Sequence, residues 1–423
     1  MASDALPGRI VLAALLVGVL FGYARLWGRC VESPAVDFYQ FWLVGRAARL
    51  QPGVDPYSDA GRRAIAQAGL SGARDSVSLR AAMAYRRELE TYSSPLLYAT
   101  FGAAATSSYD RDRLTFQAVS MAAFLAGLLL IARAFDLGPL LRLLVLLFAL
   151  EWNEPAFADA GVGNVGRLQV GLLGVCFALL GWRARAGPVL LGVVLAVVVL
   201  FKPTLALVPL WLVLVWLVRR RYRDLALAVA GGAVAAALAV AWAARGGFPW
   251  RAWEHWLAAA AGLPEGAISF DLGNLSLARA VGAALGVDVT LPVSIALSAL
   301  VLVLLVRRGH VPDEEHIVLA LGAVASLLAA RLVWIHYYVL ALPAVLACLR
   351  ASARPAASWV ALAALALLAV RPLFTVMGRV DLVLEAVLLG AAAVALFGAT
   401  AWGIGGPGPS SRASIPSKLE ATG

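Results

Sequence analysis

The sequence predicts an all-α polytopic membrane protein with about twelve transmembrane helices and a long first extracytoplasmic loop that contains interfacial helices. Two observations lead to the membrane-spanning fold. Of the 423 residues, 62% are hydrophobic and only 14% are charged, so the chain is more apolar and less charged than soluble domains. Long apolar runs recur from Pro7 to Trp402, and the longest of them reach the roughly 20 residues that a membrane helix needs. One membrane domain, residues 1–403, is therefore expected to take up nearly the whole chain.

The predicted spans follow the apolar runs in order along the chain. They cover residues 7–27, 114–135, 140–150, 168–182, 188–200, 205–218, 225–244, 291–306, 317–332, 337–349, 359–370 and 382–402. The stretch 188–218 is ambiguous, because it could form one overlong helix with Lys202-Pro203 in its middle. Two short spans with Lys202-Pro203 at their turn fit better, because a single span would place a basic cluster outside the cell.

Arginine clusters predict the orientation of these spans. They are Arg133 with Arg142, Arg183 with Arg185, Arg219 to Arg223, Arg307 with Arg308, and Arg350 with Arg354. Each cluster connects an even-numbered span to the next odd one, and short cytoplasmic loops are enriched in arginine and lysine. Both termini are therefore expected in the cytoplasm, with a disordered tail at 404–423. Outside lie the first loop, 28–113, with surface helices expected at 59–68 and 79–90, and a second loop at 245–287.

Composition excludes several classes of protein. The formal charge of +10 does not indicate nucleic-acid binding, because the basic residues are scattered between apolar runs as topology signals are. The three cysteines, Cys30, Cys176 and Cys348, are too far apart in sequence to indicate a disulfide framework or a zinc site. No P-loop, Rossmann glycine motif, HExxH or GxSxG is present. The richness in Arg, Ala, Leu and Gly is typical of a GC-rich bacterial genome, which predicts a bacterial plasma membrane.

Asp37 is the first candidate for chemistry. It follows the outer end of the first span and is surrounded by aromatic residues that include Tyr39 and Trp42. A carboxylate at the rim of a hydrophobic cavity suits general-base work. The alternative is structural: Asp37 would cap a helix that starts at Phe38, while Tyr39 and Trp42 would form an interfacial aromatic belt.

Three further ionisable residues are expected at the outer ends of spans. Lys202 lies where the positive-inside rule does not explain a lysine, and Arg331 is in the same position. His336 falls in an external turn beside Tyr337. The alternatives are an interfacial lysine whose ammonium extends to water and a histidine of the aromatic belt.

Short motifs recur in one order on the predicted outer side. They are Asp37-Phe38-Tyr39, Gly53-Val54-Asp55-Pro56-Tyr57, Tyr92-Ser93-Ser94-Pro95, Gly163-Asn164-Val165-Gly166-Arg167-Leu168-Gln169, Phe201-Lys202-Pro203, Asn274-Leu275-Ser276-Leu277 and Trp334-Ile335-His336-Tyr337. Together they resemble the polyprenyl-phosphate-sugar-dependent membrane glycosyltransferases of the GT-C superfamily. Within it the sequence is most similar to glycosyltransferase family 87, the phosphatidylinositol-mannoside mannosyltransferases. Two features depart from that family: Asn164 and Gln169 are spread over a longer element, and the segment 61–87 is longer.

The resemblance implies an inverting transfer of a sugar, mannose in the first instance, from a polyprenyl phosphate to a hydroxyl of a glycolipid or cell-envelope glycan. The reaction would take place on the extracytoplasmic side among membrane lipids. It implies Asp37 as the base, His336 as a ligand of the departing phosphate or of the sugar, and no cofactor or obligatory metal. The phosphate-binding residues implied are Lys202, Arg331 and Arg167. The substrate-binding residues implied are Tyr39, Tyr57, Asn164, Gln169, Asn274 and Tyr337.

A transporter or lipid flippase with twelve spans is the alternative from another class, since it also carries intramembrane charges. Such proteins generally contain internal repeats, and the two halves of this chain show no convincing likeness. A noncatalytic scaffold would leave the predicted clustering of Asp37, Lys202, Arg331 and His336 on one side unexplained.

Overall fold

The computed structural model describes residues 5–86, 89–182, 184–263, 273–307, 311, 313–350, 355–369 and 379–405. Over these residues every regular element is a helix, as predicted. The α-helices are α1 (Ala5–Glu32), α2 (Val36–Leu50), α3 (Asp59–Leu70), α4 (Val77–Tyr85), α5 (Pro95–Ala104), α6 (Tyr109–Ala134), α7 (Pro139–Glu151), α8 (Glu154–Val162), α9 (Gly166–Leu180), α10 (Ala186–Phe201), α11 (Leu207–Val218), α12 (Tyr222–Arg245), α13 (Trp250–Ala261), α14 (Leu277–Leu285), α15 (Thr290–Arg307), α16 (Glu314–Ala329), α17 (Leu342–Leu349), α18 (Pro355–Ala369) and α19 (Arg379–Gly405). Two 3-10 helices, Pro203–Ala206 and Ile335–Ala341, precede α11 and α17.

The predicted apolar runs coincide with helical structure to within a few residues. Among the described helices, α1, α6, α12 and α15 are each long and apolar enough to cross a membrane. The pair α8 and α9 meets the same criterion as one bent unit. The other apolar helices are shorter, with 10 to 17 residues. These lengths are consistent with a polytopic membrane protein, while the number twelve stays a prediction. Most of the predicted tail, 404–423, lies outside the described residues.

The break predicted within residues 188–218 is present. Helix α10 ends at Phe201, Lys202 has extended backbone angles, and a 3-10 turn begins at Pro203. Proline has no N–H to donate and its ring clashes with the preceding turn, so one continuous α-helix is disfavoured here. The backbone therefore turns at Lys202 and leaves this side chain between two helices.

The first loop contains more helix than the sequence predicts. The helices expected at 59–68 and 79–90 appear as α3 and α4, although α4 ends five residues earlier at Tyr85. Helix α5 was not predicted, and α2 was expected only under the alternative in which Asp37 caps a helix that starts at Phe38. Helix α1 also continues to Glu32, so the loop begins later than residue 28. The first loop is thus a small helical unit rather than a chain with two surface helices.

Serine caps define the starts of four helices around this loop. The side chains of Ser58, Ser76, Ser94 and Ser108 each accept a hydrogen bond from a backbone N–H in the first turn of α3, α4, α5 and α6. Such a cap satisfies one of the N–H groups that a helix N-terminus leaves unpaired. At α5 the cap is followed by Pro95, whose fixed φ suits the first helical position.

Helix α2 is held tightly against α5, which fixes the element that carries Asp37. The two backbones cross at Gly45 and Gly102, where a Cβ added at Gly45 would lie only 2.2 Å from the Tyr98 carbonyl oxygen. Any larger residue would separate the helices. Every α2 side chain from Asp37 to Ala48 is buried, so α2 forms the centre of the first-loop unit.

Helix α16 has the same central place in the membrane domain. All of its residues from Ile317 to Ala329 are buried. A helix that is apolar on all faces belongs in the interior of a protein. It ends at Ala329, immediately before the segment that carries Arg331 and His336. The most buried helix of the domain therefore anchors one wall of the site described next.

Candidate active site

A cavity of about 720 Å³ lies between the first-loop unit and the membrane domain. Six of the residues predicted for the site line it, although they come from distant parts of the sequence. They are Asp37, Asn164, Lys202, Arg331, His336 and Tyr337. Apolar side chains that include Phe201, Leu207, Leu332 and Ile335 line the same space. The cavity thus combines a few polar groups with an apolar wall, as ligand sites generally do.

Asp37 is placed by the corner between α1 and α2. Arg113 donates to the Cys30 and Ser33 carbonyls at the end of α1, and the Tyr109 hydroxyl donates to the Ala35 carbonyl at 3.0 Å. Ala35 has a positive φ of 54°, and α2 starts directly after it. The Asp37 carboxylate lies in the first turn of α2 and does not cap it. The capping alternative is therefore wrong for this residue.

Both carboxylate oxygens of Asp37 accept a hydrogen bond. Arg86 donates through Nη2 to Oδ1 at 2.6 Å, and Asn164 donates through Nδ2 to Oδ2 at 2.8 Å. A carboxylate oxygen can accept two bonds, so one position on each oxygen is left for a substrate. The paired cation and amide fix the orientation of the carboxylate. A carboxylate held in one orientation, with a free position on each oxygen, is suited to act as a general base.

Asn164 is placed by a sharp bend between α8 and α9. The two helices are bent by 117°, and Gly163 at the bend has a φ of 69° that suits glycine. The Asn164 N–H donates to the Asp159 carbonyl at 3.2 Å, while its side-chain oxygen accepts from the Val165 N–H at 2.7 Å. The amide nitrogen is therefore aimed at Asp37, and Asn164 lines the cavity, while its contact with a substrate stays a prediction.

Arg167 does not line the cavity. Its side chain is fully buried and its Nε lies 2.8 Å from Oδ1 of Asp159, which is also fully buried. Nη2 donates to the side-chain oxygen of Gln117, and the other Asp159 oxygen accepts from the Gly166 N–H at 2.9 Å. The sequence prediction placed Arg167 with the donor phosphate, but the structure places it inside the helical core. There it holds the α8–α9 bend that carries Asn164.

Lys202 lies in the wall of the cavity with its ammonium buried. Nζ lies 3.2 Å from the centroid of the Tyr337 ring, and no described residue forms a hydrogen bond with it. The side chain is 7% exposed, so an interfacial lysine that extends to water does not describe it. Asp159 and Asp37 attract this group electrostatically, but neither is hydrogen-bonded to it, and a buried ammonium is costly unless an anion binds it directly. Lys202 is thus suited to hold an anion in the cavity.

His336 faces Asp37 across a short gap. Its Nε2 lies 3.9 Å from Asp37 Oδ2, which is too long for a hydrogen bond, and no described residue satisfies this nitrogen. One oxygen atom, about 2.8 Å from each group, could bridge them. His336 is buried, as are Tyr39 and Trp42, so an aromatic belt at the membrane interface is wrong for all three.

Arg331 is more exposed than Lys202. Its Nε lies 3.3 Å from Asp288 Oδ2, and Nη1 donates to the Ala261 carbonyl at 3.1 Å. It lines the large cavity and also an adjoining pocket of about 280 Å³. Because Asp288 already neutralises it, Arg331 offers a ligand less unbalanced charge than Lys202 does.

Asn274 supports the wall of the cavity from behind. Its side-chain oxygen accepts from the Ser276 and Val333 N–H groups, and its Nδ2 donates to the Arg331 carbonyl at 3.0 Å. These bonds fix the segment that leads to His336. The predicted contact between Asn274 and a substrate has no support in this position, since the side chain is fully buried and does not line the cavity.

Three other residues predicted to bind substrate also lie away from the cavity. Tyr39 is buried with its ring edge-on to Tyr109, at 6.1 Å between centroids. The Tyr57 hydroxyl donates to the Ser93 carbonyl at 2.8 Å, which joins two segments of the first loop. Gln169 is fully buried within α9. In this structure these side chains pack the protein, and none of the three reaches the cavity.

The cavity residues that were not predicted include three polar ones beside Asp37: Gln40, Arg86 and Glu90. Arg86 bridges two carboxylates, since Nη1 lies 2.8 Å from Glu90 and Nη2 contacts Asp37. Burial opposes the charge of Arg86, but the two carboxylates outweigh it and raise the pKa of Arg86 above its usual value. The only sequence signal was the spacing of Arg86 and Glu90, which also fits an ordinary exposed helix pair.

Within the described ranges, no group of three or more His, Cys, Asp or Glu side chains is close enough to hold a metal ion. The polar groups of the cavity include one paired carboxylate, one histidine without a hydrogen-bond partner at Nε2, and a buried ammonium. This set can take a proton and stabilise a developing anion.

Comparison with known proteins identifies the family. The model of glycosyltransferase family 87 matches residues 91–330, more than half of the chain. The match includes Asn164 and Lys202, while Asp37 and His336 lie on either side of it. No curated protein and no solved structure gives a significant match. The matched region covers the α8–α9 bend and the break at Lys202, so the chain belongs to glycosyltransferase family 87 and is a membrane glycosyltransferase with a GT-C-type fold.

Proposed function

We propose that the protein transfers mannose from a polyprenyl phosphate to a hydroxyl of a glycolipid or cell-envelope glycan, with inversion at the anomeric carbon. Both substrates would reach the cavity from the outer leaflet of a bacterial plasma membrane. The observation that carries this proposal is that one cavity contains an oriented carboxylate at Asp37 and a buried amino group at Lys202 that makes no hydrogen bond with a described residue.

The reaction needs both groups. The acceptor oxygen forms a bond to the anomeric carbon while the bond from that carbon to the phosphate oxygen breaks. The hydroxyl proton passes to Asp37, and the electron pair of the broken bond leaves with the polyprenyl phosphate. The leaving phosphate gains negative charge, which Lys202 would stabilise in a site shielded from water. Arg331 would support it from the mouth of the cavity.

The gap between His336 and Asp37 favours a role for His336 at the acceptor. A hydroxyl placed in this 3.9 Å gap could donate its proton to Asp37 Oδ2 and accept a hydrogen bond from His336 Nε2. Such a position would orient the nucleophile before attack. The other role implied for His336 is to bind the departing phosphate. In that role, His336 would leave the gap beside Asp37 without a ligand.

The apolar part of the cavity supports a lipid-linked donor. Phe201, Leu207 and Ile335 line the space together with Lys202 and Tyr337. An isoprenoid chain could lie against the apolar side chains while its phosphate meets the ammonium. The arginine clusters support an extracytoplasmic reaction, because they assign the cytoplasm to the opposite ends of these spans.

The direct test is transfer by purified protein. The protein is incubated with labelled polyprenyl-phosphate mannose and a membrane lipid extract, and the labelled product is identified together with the released polyprenyl phosphate. We expect product from the wild type and from Asp59→Asn, whose carboxylate is exposed on α3 and pairs with Arg62. Asp37→Asn should give little. Transport of the donor across a vesicle membrane without any sugar transfer would instead favour the flippase alternative.

A further inference from the structure

We infer that Gln40, Arg86 and Glu90 form a subsite beside Asp37 that recognises the hydroxyl groups of an uncharged polyol, so that the sugar ring accepting the transfer carries no negative charge near the reacting hydroxyl. This inference rests on the proposed function and adds the chemical class of the acceptor. All three residues precede the part of the chain that the family model matches.

The three side chains form one connected unit. Arg86 contacts Asp37 through Nη2 at 2.6 Å and Glu90 through Nη1 at 2.8 Å. The Gln40 side-chain oxygen accepts from the Glu90 N–H at 2.7 Å, which ties the segment after α4 to α2. Gln40 lies one helical turn after Asp37 on the same helix. The unit therefore has a fixed position relative to the base.

The unit has unused hydrogen-bonding groups that suit hydroxyls. Arg86 contacts Oε2 of Glu90, and none of the described residues hydrogen-bonds Oε1. The Gln40 oxygen is occupied, whereas its Nε2 has no partner in the described part of the chain. Both residues line the cavity. A carboxylate oxygen and an amide N–H₂ side by side can accept from one hydroxyl and donate to the next, which matches neighbouring hydroxyls of a sugar ring.

The charge of this unit argues against an anionic acceptor. Asp37 and Glu90 contribute two negative charges, and Arg86 contributes one positive charge that both carboxylates share. The unit thus carries one excess negative charge among the described residues. Both terminal nitrogens of Arg86 contact a carboxylate, so its positive charge is already shared by Asp37 and Glu90, although its buried Nε has no hydrogen-bond partner among the described residues. Like charges brought together in a partly buried site disfavour the wrong ligand.

The opposite wall of the cavity has the opposite character. The buried ammonium of Lys202 lies there over the Tyr337 ring, without an anionic partner. The cavity is therefore divided into a cationic side, suited to the donor phosphate, and an anionic side at Asp37, Arg86 and Glu90. This division would also prevent an acceptor from entering the donor position.

The test compares two acceptors that differ in one group. Full-length protein in lipid nanodiscs receives polyprenyl-phosphate mannose and either octyl mannoside or octyl mannuronide, in which a carboxylate replaces the C6 hydroxymethyl group. We expect the wild type to prefer the neutral glycoside by about tenfold or more in kcat/KM. Glu90→Gln removes the excess charge, so the ratio should fall to about threefold or less. Asp75→Asn, on the exposed side of the first loop, is the matched control and should keep the wild-type ratio.

Equal use of the two glycosides, a preference for the uronide, or an unchanged ratio in Glu90→Gln would overturn the inference. Labelling of a membrane lipid extract without use of either glycoside would also overturn it, because the subsite would then not recognise a sugar ring by itself. Failure of the proposed function is a separate result: the wild type would release no polyprenyl phosphate with any of these acceptors, the lipid extract included.

Discussion

Replacement of Lys202 by methionine should abolish most activity without loss of stability. Methionine has a similar length and adapts to irregular space, but it carries no charge. In the structure the Lys202 ammonium contacts the face of Tyr337 and has no hydrogen-bond partner among the described residues. Its removal therefore leaves no carboxylate unpaired, in contrast to the loss of one partner from a buried ion pair.

Two opposing effects set the expected change in stability. Loss of the contact with the Tyr337 ring costs about 0.5–2 kcal/mol. Removal of a buried ammonium without an anionic partner gives a gain of similar or larger size. We therefore expect the thermal midpoint of the ligand-free protein to stay the same or to rise. Catalysis should fall by about 10²–10³, the usual cost of one electrostatic group that stabilises the transition state, or roughly 3–4 kcal/mol.

The assay measures thermal unfolding and sugar transfer on the same preparations. Added polyprenyl phosphate should raise the thermal midpoint of the wild type, because a ligand that binds only the folded state stabilises it, and it should have little effect on Lys202→Met. Arg331→Met is the comparison, and a smaller loss is expected because Asp288 already neutralises Arg331. A Lys202→Met protein that unfolds at a lower temperature but keeps its turnover would refute the reasoning, since the ammonium would then serve the fold and not the donor.

The remaining predictions concern the base, the bend and the topology. Asp37→Asn should purify normally, bind the donor, and transfer sugar at least about a hundredfold more slowly, the usual scale for a lost general base; near-normal turnover would mean that another group takes the proton. Arg167→Met should instead destabilise the protein by about 3–5 kcal/mol, because it leaves the buried Asp159 carboxylate without its cation, and a wild-type thermal midpoint would contradict this. For the topology, an impermeant thiol reagent applied from outside should label a cysteine at Asp75 but not one at Tyr222, both of which are exposed; labelling at Tyr222 would reverse the predicted orientation. The native cysteines are buried and should not interfere.

The helices of the membrane domain were predictable because an apolar run of this length has few alternatives to helix in lipid. Helix α5 was missed, and α2 was expected only under the capping alternative, because both lie in a region with many charges and prolines, which suggested an external loop. Their stability depends on contact with each other through Gly45 and Gly102. A contact between residues more than fifty positions apart is not visible in local patterns.

The same limit applies to Arg86, Lys202 and Arg167. In the sequence, Arg86 and Lys202 each lie next to a stretch with an ordinary helical pattern. Arg167 lies in a motif that resembles the family pattern. Their roles differ because of residues far away: Asp159 occupies Arg167, Asp37 and Glu90 occupy Arg86, and no carboxylate among the described residues pairs with Lys202.

The usefulness of a cation in this cavity therefore depends on whether an anion of the protein already neutralises it. A fully paired cation can hold a bend or orient a base, but it has little charge left for a leaving phosphate. An ammonium without such a partner keeps its positive charge available for the phosphate of a bound donor. By this criterion Lys202 is the residue to change first if the protein is to be made inactive but still folded. Replacement of Arg167 should lower the stability of the fold more directly than it changes the transfer reaction.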